Sequence, residues 1–326
     1  MQVCNLDRIR QALDPPELIK SQEDGFVAYS QGRVVVPPVG YLYFEAASGD
    51  CHIKYGYIKG DDYFLVKIAT GFYKNPNIGM PVGNGMMALF SQHTGKIEAL
   101  LLDEGYLTEM RTAAAGAVAA KYLAPKKVSR IGIVGTGVQA RLQLEMLRYV
   151  TGCRNAIVWG RDRAKRERYK WEMSAKGFLV DEVARIEDLT ANCNLIVTTT
   201  SAREPILYTE HIRPGSHITA MGADAPGKQE LDENIFARAN IRVVDSASQC
   251  IDHGDSSYAV RAGVVCTEDL RELGNVISRP ELGRTHDSQI TVADLTGVAV
   301  QDIQVAKLVY NHLSNNSDQG QRPNCS

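Results

Sequence analysis

The chain has 326 residues, of which 44% are hydrophobic and 23% charged, and its formal net charge is −2 at pH 7. This is the composition of an ordinary globular protein with material for one or two cores, and the length favours two domains over one. The lack of a basic excess argues against nucleic-acid and membrane-surface binding.

The seven cysteines lie singly along the chain. An odd number without paired spacing indicates a reducing compartment and argues against a disulfide framework. No Cys-x-x-Cys or His-Glu-x-x-His pattern occurs, so we expect no protein-ligated metal. The first residues contain no apolar signal region, and no stretch reaches the roughly 18 apolar residues of a membrane span. We therefore expect a soluble, cytoplasmic protein.

The first hundred residues combine a helical segment with short strand-like runs. Residues 5 to about 30 have helical spacing, with Pro15-Pro16 at a helix start. Turn signals then separate six runs that are typical of strands. These runs are 33–36, 40–44, 51–57, 63–68, 86–91 and 97–102. Successive strands without intervening helices predict an antiparallel or mixed sheet, hence a first α+β domain.

An alanine-rich segment, 112–124, follows and ends before Pro125. Its composition predicts a helix and leaves two interpretations open. The small side chains either allow close approach of another backbone or reflect the helix propensity of alanine alone.

From residue 128 to about 300, strand-like and helical segments alternate. The apolar strand patterns are 130–134, 156–159, 195–199, 217–221 and 241–245. This alternation predicts right-handed βαβ crossovers and a doubly wound parallel sheet, the α/β class with a Rossmann-type domain. The segment 302–313 has the pattern of an amphipathic helix, and we expect the polar tail 314–326 to be disordered.

A glycine motif, Gly135-Thr136-Gly137-Val138-Gln139-Ala140, joins the first of these strands to a helical pattern. Glycines at this spacing also occur by chance, but a strand before and a helix after them are the context of a dinucleotide-binding turn. Gly135 permits the tight turn, Gly137 lets the backbone approach a pyrophosphate, and Ala140 keeps helix and strand close. The N–H groups at the helix start suit phosphates. We favour this interpretation over a purely structural turn.

The end of the next strand bears on the choice of cofactor. About 20 residues beyond such a turn, NAD sites usually carry an acid that binds the ribose hydroxyls. Here the sequence reads Trp159-Gly160-Arg161-Asp162-Arg163. Arg161 can pair with a 2′-phosphate, whereas Asp162 stands one residue late for the acid. The pattern favours NADP(H), with NAD(H) possible. The charges that follow, 161–168, are otherwise typical of a solvated helix face.

Asp224 is the candidate acid/base of this domain. It follows the strand pattern 217–221, and ligands of open α/β sheets bind beyond the carboxyl ends of the strands. The alternative is that Asp224 caps the turn before Pro226-Gly227. Both interpretations stay open at this point.

Three cations of the first domain, Arg33, Lys67 and Arg111, stand in or beside apolar segments. A buried cation needs an acidic partner or an anionic ligand. Together they would suit a substrate carboxylate, with Arg111 as a bidentate clamp. Alternatively, Lys67 simply points to solvent from an alternating strand.

In five stretches the sequence resembles the ornithine cyclodeaminase/μ-crystallin family, and the resemblance extends over roughly residues 15 to 313. The stretches are Val66-Lys67-Ile68, Met110-Arg111-Thr112-Ala113-Ala114-Ala115-Gly116, Gly135-Thr136-Gly137-Val138-Gln139-Ala140, Gly222-Ala223-Asp224-Ala225-Pro226-Gly227-Lys228-Gln229-Glu230-Leu231-Asp232, and Asp287-Ser288-Gln289-Ile290-Thr291-Val292. Their order and spacing all match the family.

The resemblance implies a substrate-binding and dimerisation domain, 1–112 with 301–326, a Rossmann domain, 113–300, and a homodimer. It implies that Arg33, Lys67 and Arg111 hold the carboxylate of an amino or imino acid over the nicotinamide. Lys67 and Asp224 match catalytic positions of the family. Thr112 matches a position near the cofactor phosphates, and Arg161 falls where NADPH-using members carry an arginine.

The family contains ornithine cyclodeaminases, cyclic ketimine reductases, alanine dehydrogenases and μ-crystallin-like ligand-binding proteins. The enzymes share hydride transfer between nicotinamide and the α-carbon of a carboxylated amine or imine. Ornithine-converting members carry a glutamate that, by alignment, falls at or near Lys54, and a cation there would repel the distal ammonium. We therefore expect a reductase of Δ1-pyrroline-2-carboxylate or Δ1-piperideine-2-carboxylate. An alanine dehydrogenase comes second, a cyclodeaminase third, and a non-catalytic binding protein is a further alternative.

Overall fold

The computed structural model of the protein describes residues 1–319, which contain fifteen strands and eleven α-helices. The strands are β1 (Gln2–Cys4), β2 (Val34–Val35), β3 (Gly40–Phe44), β4 (Gly49–Ile58), β5 (Tyr63–Phe72), β6 (Gly83–Ser91), β7 (Ile97–Leu101), β8 (Ile131–Val134), β9 (Asn155–Trp159), β10 (Leu179–Val183), β11 (Leu195–Thr198), β12 (His217–Ala220), β13 (Ile241–Val244), β14 (Leu270–Glu272) and β15 (Thr291–Asp294). The helices are α1 (Leu6–Ala12), α2 (Pro15–Ser30), α3 (Tyr106–Leu123), α4 (Val138–Leu147), α5 (Arg163–Ala175), α6 (Ile186–Thr190), α7 (Glu233–Arg238), α8 (Ala247–His253), α9 (Asp255–Arg261), α10 (Leu273–Ser278) and α11 (Ala299–Gln319).

Contacts between Cα atoms divide the chain into two compact units. The first unit is Met1–Arg111 together with the segment that begins at Ala299, and the second is Thr112–Val298. No helix within residues 1–319 is both long and apolar enough to cross a membrane.

The first unit is built on a mixed sheet with the strand order β1-β7-β6-β5-β4-β2, and β3 also pairs with β4. The β1–β7 pair is parallel, and the other strand pairs described for this sheet are antiparallel. Helices α2 and α11 pack on each other, and α11 also packs on β4, β5 and β6. Helix α2 begins where the Asp14 carboxylate accepts a hydrogen bond from the backbone N–H of Glu17, with proline in the first turn. The predicted α+β character of this region is confirmed.

The second unit contains an eight-stranded, entirely parallel sheet, in the order β10-β9-β8-β11-β12-β15-β13-β14. Its central strands are buried along their whole length, as both-face coverage of a parallel sheet requires. The predicted doubly wound α/β fold is therefore confirmed. The carboxyl ends of β8, β11 and β12 lie at one edge of this sheet, and the candidate residues follow them.

Three strands of this sheet were not predicted from the sequence: β10, β14 and β15. The most consequential is β15, which lies between β12 and β13 although it comes last in the sequence. It begins with Thr291 and ends in the buried Asp294, so polar residues bound its apolar run at both ends.

Gly116 shows that the small residues of the alanine-rich helix α3 allow close approach of another helix. A Cβ atom at this position would lie 2.0 Å from Oε1 of Gln143, a buried residue of α4. The small side chains therefore serve close packing of α4 against α3, in addition to helix propensity.

The prediction of a disordered tail from residue 314 is wrong for its first part, because α11 continues to Gln319. The Ser314 hydroxyl accepts a hydrogen bond from the Gln2 side chain, which ties this turn of the helix to the sheet. The remainder of that prediction, 320–326, lies outside the described residues.

Candidate active site

The glycine motif forms the turn between β8 and α4. Gly135 has a φ of +122°, and a Cβ there would lie 2.6 Å from the Thr199 hydroxyl oxygen. Both facts require glycine at this position. Ala140 is fully buried, and its carbonyl accepts a hydrogen bond from the Tyr169 hydroxyl at 2.9 Å. That the small Ala140 side chain keeps helix and strand close stays a prediction.

The N-terminus of α4 is open to an anion. Gly137 is its N-cap, so no side chain caps the first N–H groups, and no heavy atom lies within 4 Å of a Cβ built there. Val138, the first helical residue, is exposed. Unsatisfied N–H groups and the positive end of the helix dipole favour a phosphate at this point.

A cavity of about 450 Å³ opens beside this turn. The lining residues are Gly135, Thr136, Gly137, Arg141, Trp159, Gly160, Arg161, Lys165, Arg168, Thr199, Thr200 and Ser201. They come from the carboxyl ends of β8, β9 and β11, where a doubly wound sheet binds its nucleotide, and from the helices α4 and α5. The residues present therefore fit a dinucleotide.

Four cations line this cavity, and they differ in their partners. Arg141 and Arg168 both pair with Glu172, at 2.5 and 2.7 Å. Arg161 and Lys165 have no carboxylate partner among residues 1–319. These two cations are therefore available to an anionic group of the cofactor.

Asp162 has a structural role in the nearby helix. Its carboxylate accepts a hydrogen bond from the Lys165 backbone N–H at 3.0 Å and caps the N-terminus of α5. This explains why an acid stands one residue beyond the position expected for a ribose-binding carboxylate.

In the first unit, Lys67 and Arg111 are held together by a buried acid, Asp302, which is not among the residues predicted from the sequence. Lys67 Nζ lies 2.8 Å from one carboxylate oxygen of Asp302, and Arg111 Nε lies 3.0 Å from the other. All three side chains are nearly inaccessible to solvent. Arg111 also donates a hydrogen bond to the Gln301 side-chain oxygen at 3.1 Å, and Lys67 donates one to the Thr108 hydroxyl at 3.4 Å. We call Lys67, Arg111 and Asp302 the buried triad.

The triad perturbs its own pKa values. Burial lowers the pKa of Lys67 to about 7; the Asp302 charge opposes this shift, and the charges of Arg111 and Lys54 add to it. Burial alone would raise the pKa of Asp302, but the three cations Arg111, Lys67 and Lys54 outweigh it and hold the pKa below the ordinary value. A lysine with a pKa near neutrality can both bind an anion and exchange a proton.

Lys54 adds a third positive charge to the same face of the sheet. It pairs with Lys67 across β4 and β5, so the two side chains leave the sheet on the same side. Its charge reaches both Lys67 and Asp302, because it lowers the pKa of each. Lys54, which stands at or near the position of the glutamate of ornithine-converting members, thus lies beside the triad.

Arg33 does not belong to this group. It is exposed in the turn before β2, and its Nε donates a hydrogen bond to the Gln31 side chain at 3.0 Å. Its predicted role in substrate binding stays a prediction.

Asp224 lies on an exposed loop after β12. Its side chain is 53% exposed, and its carboxylate pairs with Lys228 Nζ at 2.6 Å. The partner is a side chain rather than a backbone amide of the turn, so the capping alternative does not describe this carboxylate. An exposed acid at the carboxyl end of a central strand is available for proton transfer.

Thr112 is half-buried in α3, and its backbone carbonyl accepts a hydrogen bond from Gln143 Nε2 at 3.1 Å. Gln143 in turn donates to the Gln139 side-chain oxygen at 3.4 Å. Thr112 is thereby linked to the helix that follows the glycine turn. Its role near the cofactor phosphates stays a prediction.

Asp302 could have been found from one signal. It is the single acid within the apolar start of α11, residues 299–306, whose other members are apolar or glutamine. An acid in such a stripe must be compensated on burial, and Lys67 and Arg111 are cations with the same requirement.

The matches with known proteins extend over nearly the whole chain. The family model of the ornithine cyclodeaminase/mu-crystallin family matches residues 2–317. The uncharacterized cyclodeaminase y4tK of Sinorhizobium fredii is 42% identical over 304 residues, with 92% of each chain covered.

Two solved structures are close in fold. The structure of an archaeal alanine dehydrogenase dimer with bound NAD is 34% identical, with a TM-score of 0.89 over 97% of each chain. That of Thermococcus litoralis Δ1-pyrroline-2-carboxylate reductase in complex with NADH and L-proline is 28% identical, with a TM-score of 0.90 over 97% of this chain and 98% of that one. The chain therefore belongs to the ornithine cyclodeaminase/mu-crystallin family.

Proposed function

We propose that the protein is an NAD(P)H-dependent oxidoreductase that reduces the C=N bond of a cyclic imino acid. The leading substrates are Δ1-pyrroline-2-carboxylate and Δ1-piperideine-2-carboxylate, which give L-proline and L-pipecolate. The observation that carries this proposal is the buried triad, since two cations around one acid form a site for a carboxylate. The similarity to a Δ1-pyrroline-2-carboxylate reductase and an alanine dehydrogenase supports the reaction class.

The charge of the triad supports the binding of a carboxylate. Protonated Lys67 and Arg111 carry two positive charges against the one negative charge of Asp302. Buried cations are stabilised by negative partners, and a substrate carboxylate would add one to the triad. Arg111 offers a planar guanidinium for a directed contact, and Lys67 offers a point charge.

For the cofactor we propose NADP(H), with NAD(H) as the alternative. Arg161 and Lys165 line the nucleotide cavity close to the end of β9, where the adenosine ribose binds in this type of fold. A 2′-phosphate would give both cations a partner. The two similar structures hold NAD and NADH, which supports the alternative.

The reduced nicotinamide, when bound, supplies a hydride to the imine carbon. The imine nitrogen then needs a proton, for which we propose Asp224 or a water bound to it. Lys67 is the second candidate for this proton transfer, because its pKa of about 7 lets it give up a proton near neutral pH. Lys67 and Arg111 would fix the carboxylate, and so the position of the α-carbon.

One observation favours a second candidate, the reduction of an imino acid with an additional carboxylate. Lys54 places a third cation beside the triad, and a second negative charge on the substrate would be attracted to it. The same charge argues against ornithine, whose distal ammonium it would repel. Reductive amination of a keto acid is the third candidate, ahead of cyclodeamination and of a non-catalytic binding role.

A panel of substrates at 340 nm tests these alternatives. Purified protein would be assayed with NADPH and NADH against Δ1-pyrroline-2-carboxylate, Δ1-piperideine-2-carboxylate, and pyruvate or oxaloacetate with and without ammonia. We expect oxidation of NADPH by the cyclic imines without added ammonia. Turnover of pyruvate that requires ammonia would replace the proposal with a dehydrogenase, and preference for oxaloacetate with ammonia would favour the second candidate. Redox-neutral release of ammonia from ornithine would identify a cyclodeaminase.

We propose a homodimer in which a second copy covers the exposed side chains of β3. Tyr41, Leu42, Tyr43 and Phe44 all lie on this strand, and each is at least 42% exposed. Among residues 1–319, strand β3 pairs with β4 alone, and apolar edges of this kind are normally covered. Light scattering of the native protein should give twice the chain mass of 35.8 kDa, and a monomer would contradict the proposal.

We also propose a cytoplasmic location. Six cysteines in the described part of the chain are free thiols, and most of them are buried. Unpaired thiols are typical of a reducing compartment. Fractionation of cells that express the tagged protein would check the proposal.

A further inference from the structure

Glu230 is a fully buried acid that the proposed chemistry does not use. One carboxylate oxygen accepts hydrogen bonds from the Thr198 hydroxyl at 2.6 Å and from the Gly222 backbone N–H at 2.8 Å. The other accepts from the Thr200 backbone N–H at 2.5 Å. Three donors therefore converge on one side chain, and they come from the ends of two neighbouring strands, β11 and β12.

The two segments that Glu230 joins belong to different parts of the proposed chemistry. The first segment, 199–201, lines the nucleotide cavity. The second, 221–224, ends at Asp224. We call them the cofactor segment and the acid segment.

The approach of these segments depends on a glycine. A Cβ on Gly222 would lie 2.1 Å from the Thr200 carbonyl oxygen and 2.5 Å from Cδ of Glu230. A residue with a Cβ atom does not fit at position 222. Gly222 therefore allows Glu230 and the two segments to pack in direct contact.

The backbone of Glu230 is itself anchored. Its N–H donates to the Asp255 carboxylate at 2.7 Å, and the Leu231 N–H donates to the same oxygen at 3.0 Å. Its carbonyl accepts hydrogen bonds from the backbone N–H groups of Ile206 and Leu207. These backbone hydrogen bonds thus hold Glu230 in place independently of the two segments that its carboxylate contacts.

We propose that Glu230 is a positioning residue that fixes the acid segment relative to the cofactor segment, and thereby the distance between Asp224 and the nicotinamide end of the cofactor. The proposal rests on the acid/base role proposed for Asp224. It explains why glutamate stands here, since its two oxygens together accept all three hydrogen bonds, which the single oxygen of a glutamine amide does not do. A buried network of this kind is rigid only when every member is satisfied.

The variant Glu230→Gln tests the proposal. Glutamine has nearly the same shape, but its amide nitrogen would face either the Thr200 or the Gly222 N–H, and one backbone donor would lose its acceptor. We expect kcat for the imine to fall about tenfold and the Kd of NADPH to rise about fivefold, with KM for the imine unchanged. Quenching of protein fluorescence by NADPH measures that Kd, because Trp159 lines the nucleotide cavity.

The control is His217→Gln, a buried polar residue at the opposite end of β12 whose ring is bound by Thr291 and Thr219. A role limited to stability would lower the melting temperature of both variants and leave kcat and the Kd of NADPH at wild-type values. That result for Glu230→Gln would overturn the proposal, as would equal kinetic losses in the control.

If Glu230→Gln does not fold, Gly222→Ala separates the same segments without removing a charge. It should lower kcat and raise the Kd of NADPH together, and wild-type values for both would overturn the proposal. If the wild-type protein reduces none of the imines, the proposed function fails. The NADPH titration still decides on Glu230 in that case, because it needs no substrate.

Discussion

In the first unit the charged candidates Lys67, Arg111 and Asp302 are buried and hold one another, whereas in the second unit Arg161 and Asp224 face solvent. The difference lies in how each charge is compensated. The buried charges depend on their partners for stability, while the exposed ones are hydrated, so that even the pair of Asp224 with Lys228 contributes little to stability. A substitution in the triad should therefore damage both fold and binding. A substitution at Asp224 or Arg161 should change the chemistry or the cofactor alone.

The largest effect is expected for Asp302→Asn. The substitution leaves Lys67 and Arg111 buried without a negative partner, and breaking one side of a buried ion pair costs about 3–5 kcal/mol. We expect the free energy of unfolding to fall by that amount in urea titrations at pH 7.

Asp24→Asn is the matched control for this comparison. Asp24 belongs to the same unit and pairs with Lys20 one turn away on α2, but both side chains are more than half exposed. Exposed pairs contribute about 0–1 kcal/mol, so this variant should be close to wild type. An equal decrease in the free energy of unfolding of the two variants would show that burial does not make Asp302 more important for stability than Asp24.

The second effect concerns the exposed acid, with Asp224→Asn. We expect kcat to fall at least about tenfold, since positioned acid/base groups contribute factors of this size or more, while the Kd of NADPH and the melting temperature stay constant. Steady-state kinetics with Δ1-pyrroline-2-carboxylate measure the loss. Asp252→Asn is the control, because Asp252 is another exposed acid of the second unit and pairs with His253. An unchanged rate in Asp224→Asn would refute the assigned role.

The fold was largely predictable because periodic segments dominate it. The strand patterns at 40–44 and 63–68 correspond to β3 and to the first part of β5, and the alternation after residue 128 gave the parallel sheet. The short strands β1 and β14 were not predictable, because three residues carry too little periodicity and their pairing is set by distant segments.

The site was predictable where a local motif defines it, and less so where partners are far apart in sequence. The turn Gly135–Ala140 has its strand and helix beside it, so its geometry follows from neighbouring residues. The triad joins residues 67, 111 and 302, which no local pattern connects. Glu230 stood within a recognised stretch, but its role depends on where the ends of β11 and β12 meet.

The third effect concerns cofactor choice, with Arg161→Gln. Loss of one charge-assisted contact to a 2′-phosphate should raise the KM for NADPH about tenfold and leave that for NADH unchanged. Arg163→Gln is the control, since Arg163 is two residues away but pairs with Glu167 and does not line the cavity. Equal changes in both KM values, or none, would argue against a 2′-phosphate site at Arg161.

The smallest expected effect is a shift in the pH dependence of kcat/KM, and it concerns the buried triad. Protonated Lys67 is the form that binds a carboxylate, so kcat/KM should be highest at low pH and should fall as the pH rises through the Lys67 pKa of about 7.

Lys54 contributes to the lowering of that pKa, because two like charges oppose each other. Lys54→Met removes this repulsion, so the pKa of Lys67 should rise and the fall in kcat/KM should move to higher pH. Lys59→Met, an exposed lysine just beyond β4, should leave the profile in place. Superimposable profiles for wild type and Lys54→Met would mean that Lys54 does not act on the triad, and would remove the main argument for a second substrate carboxylate.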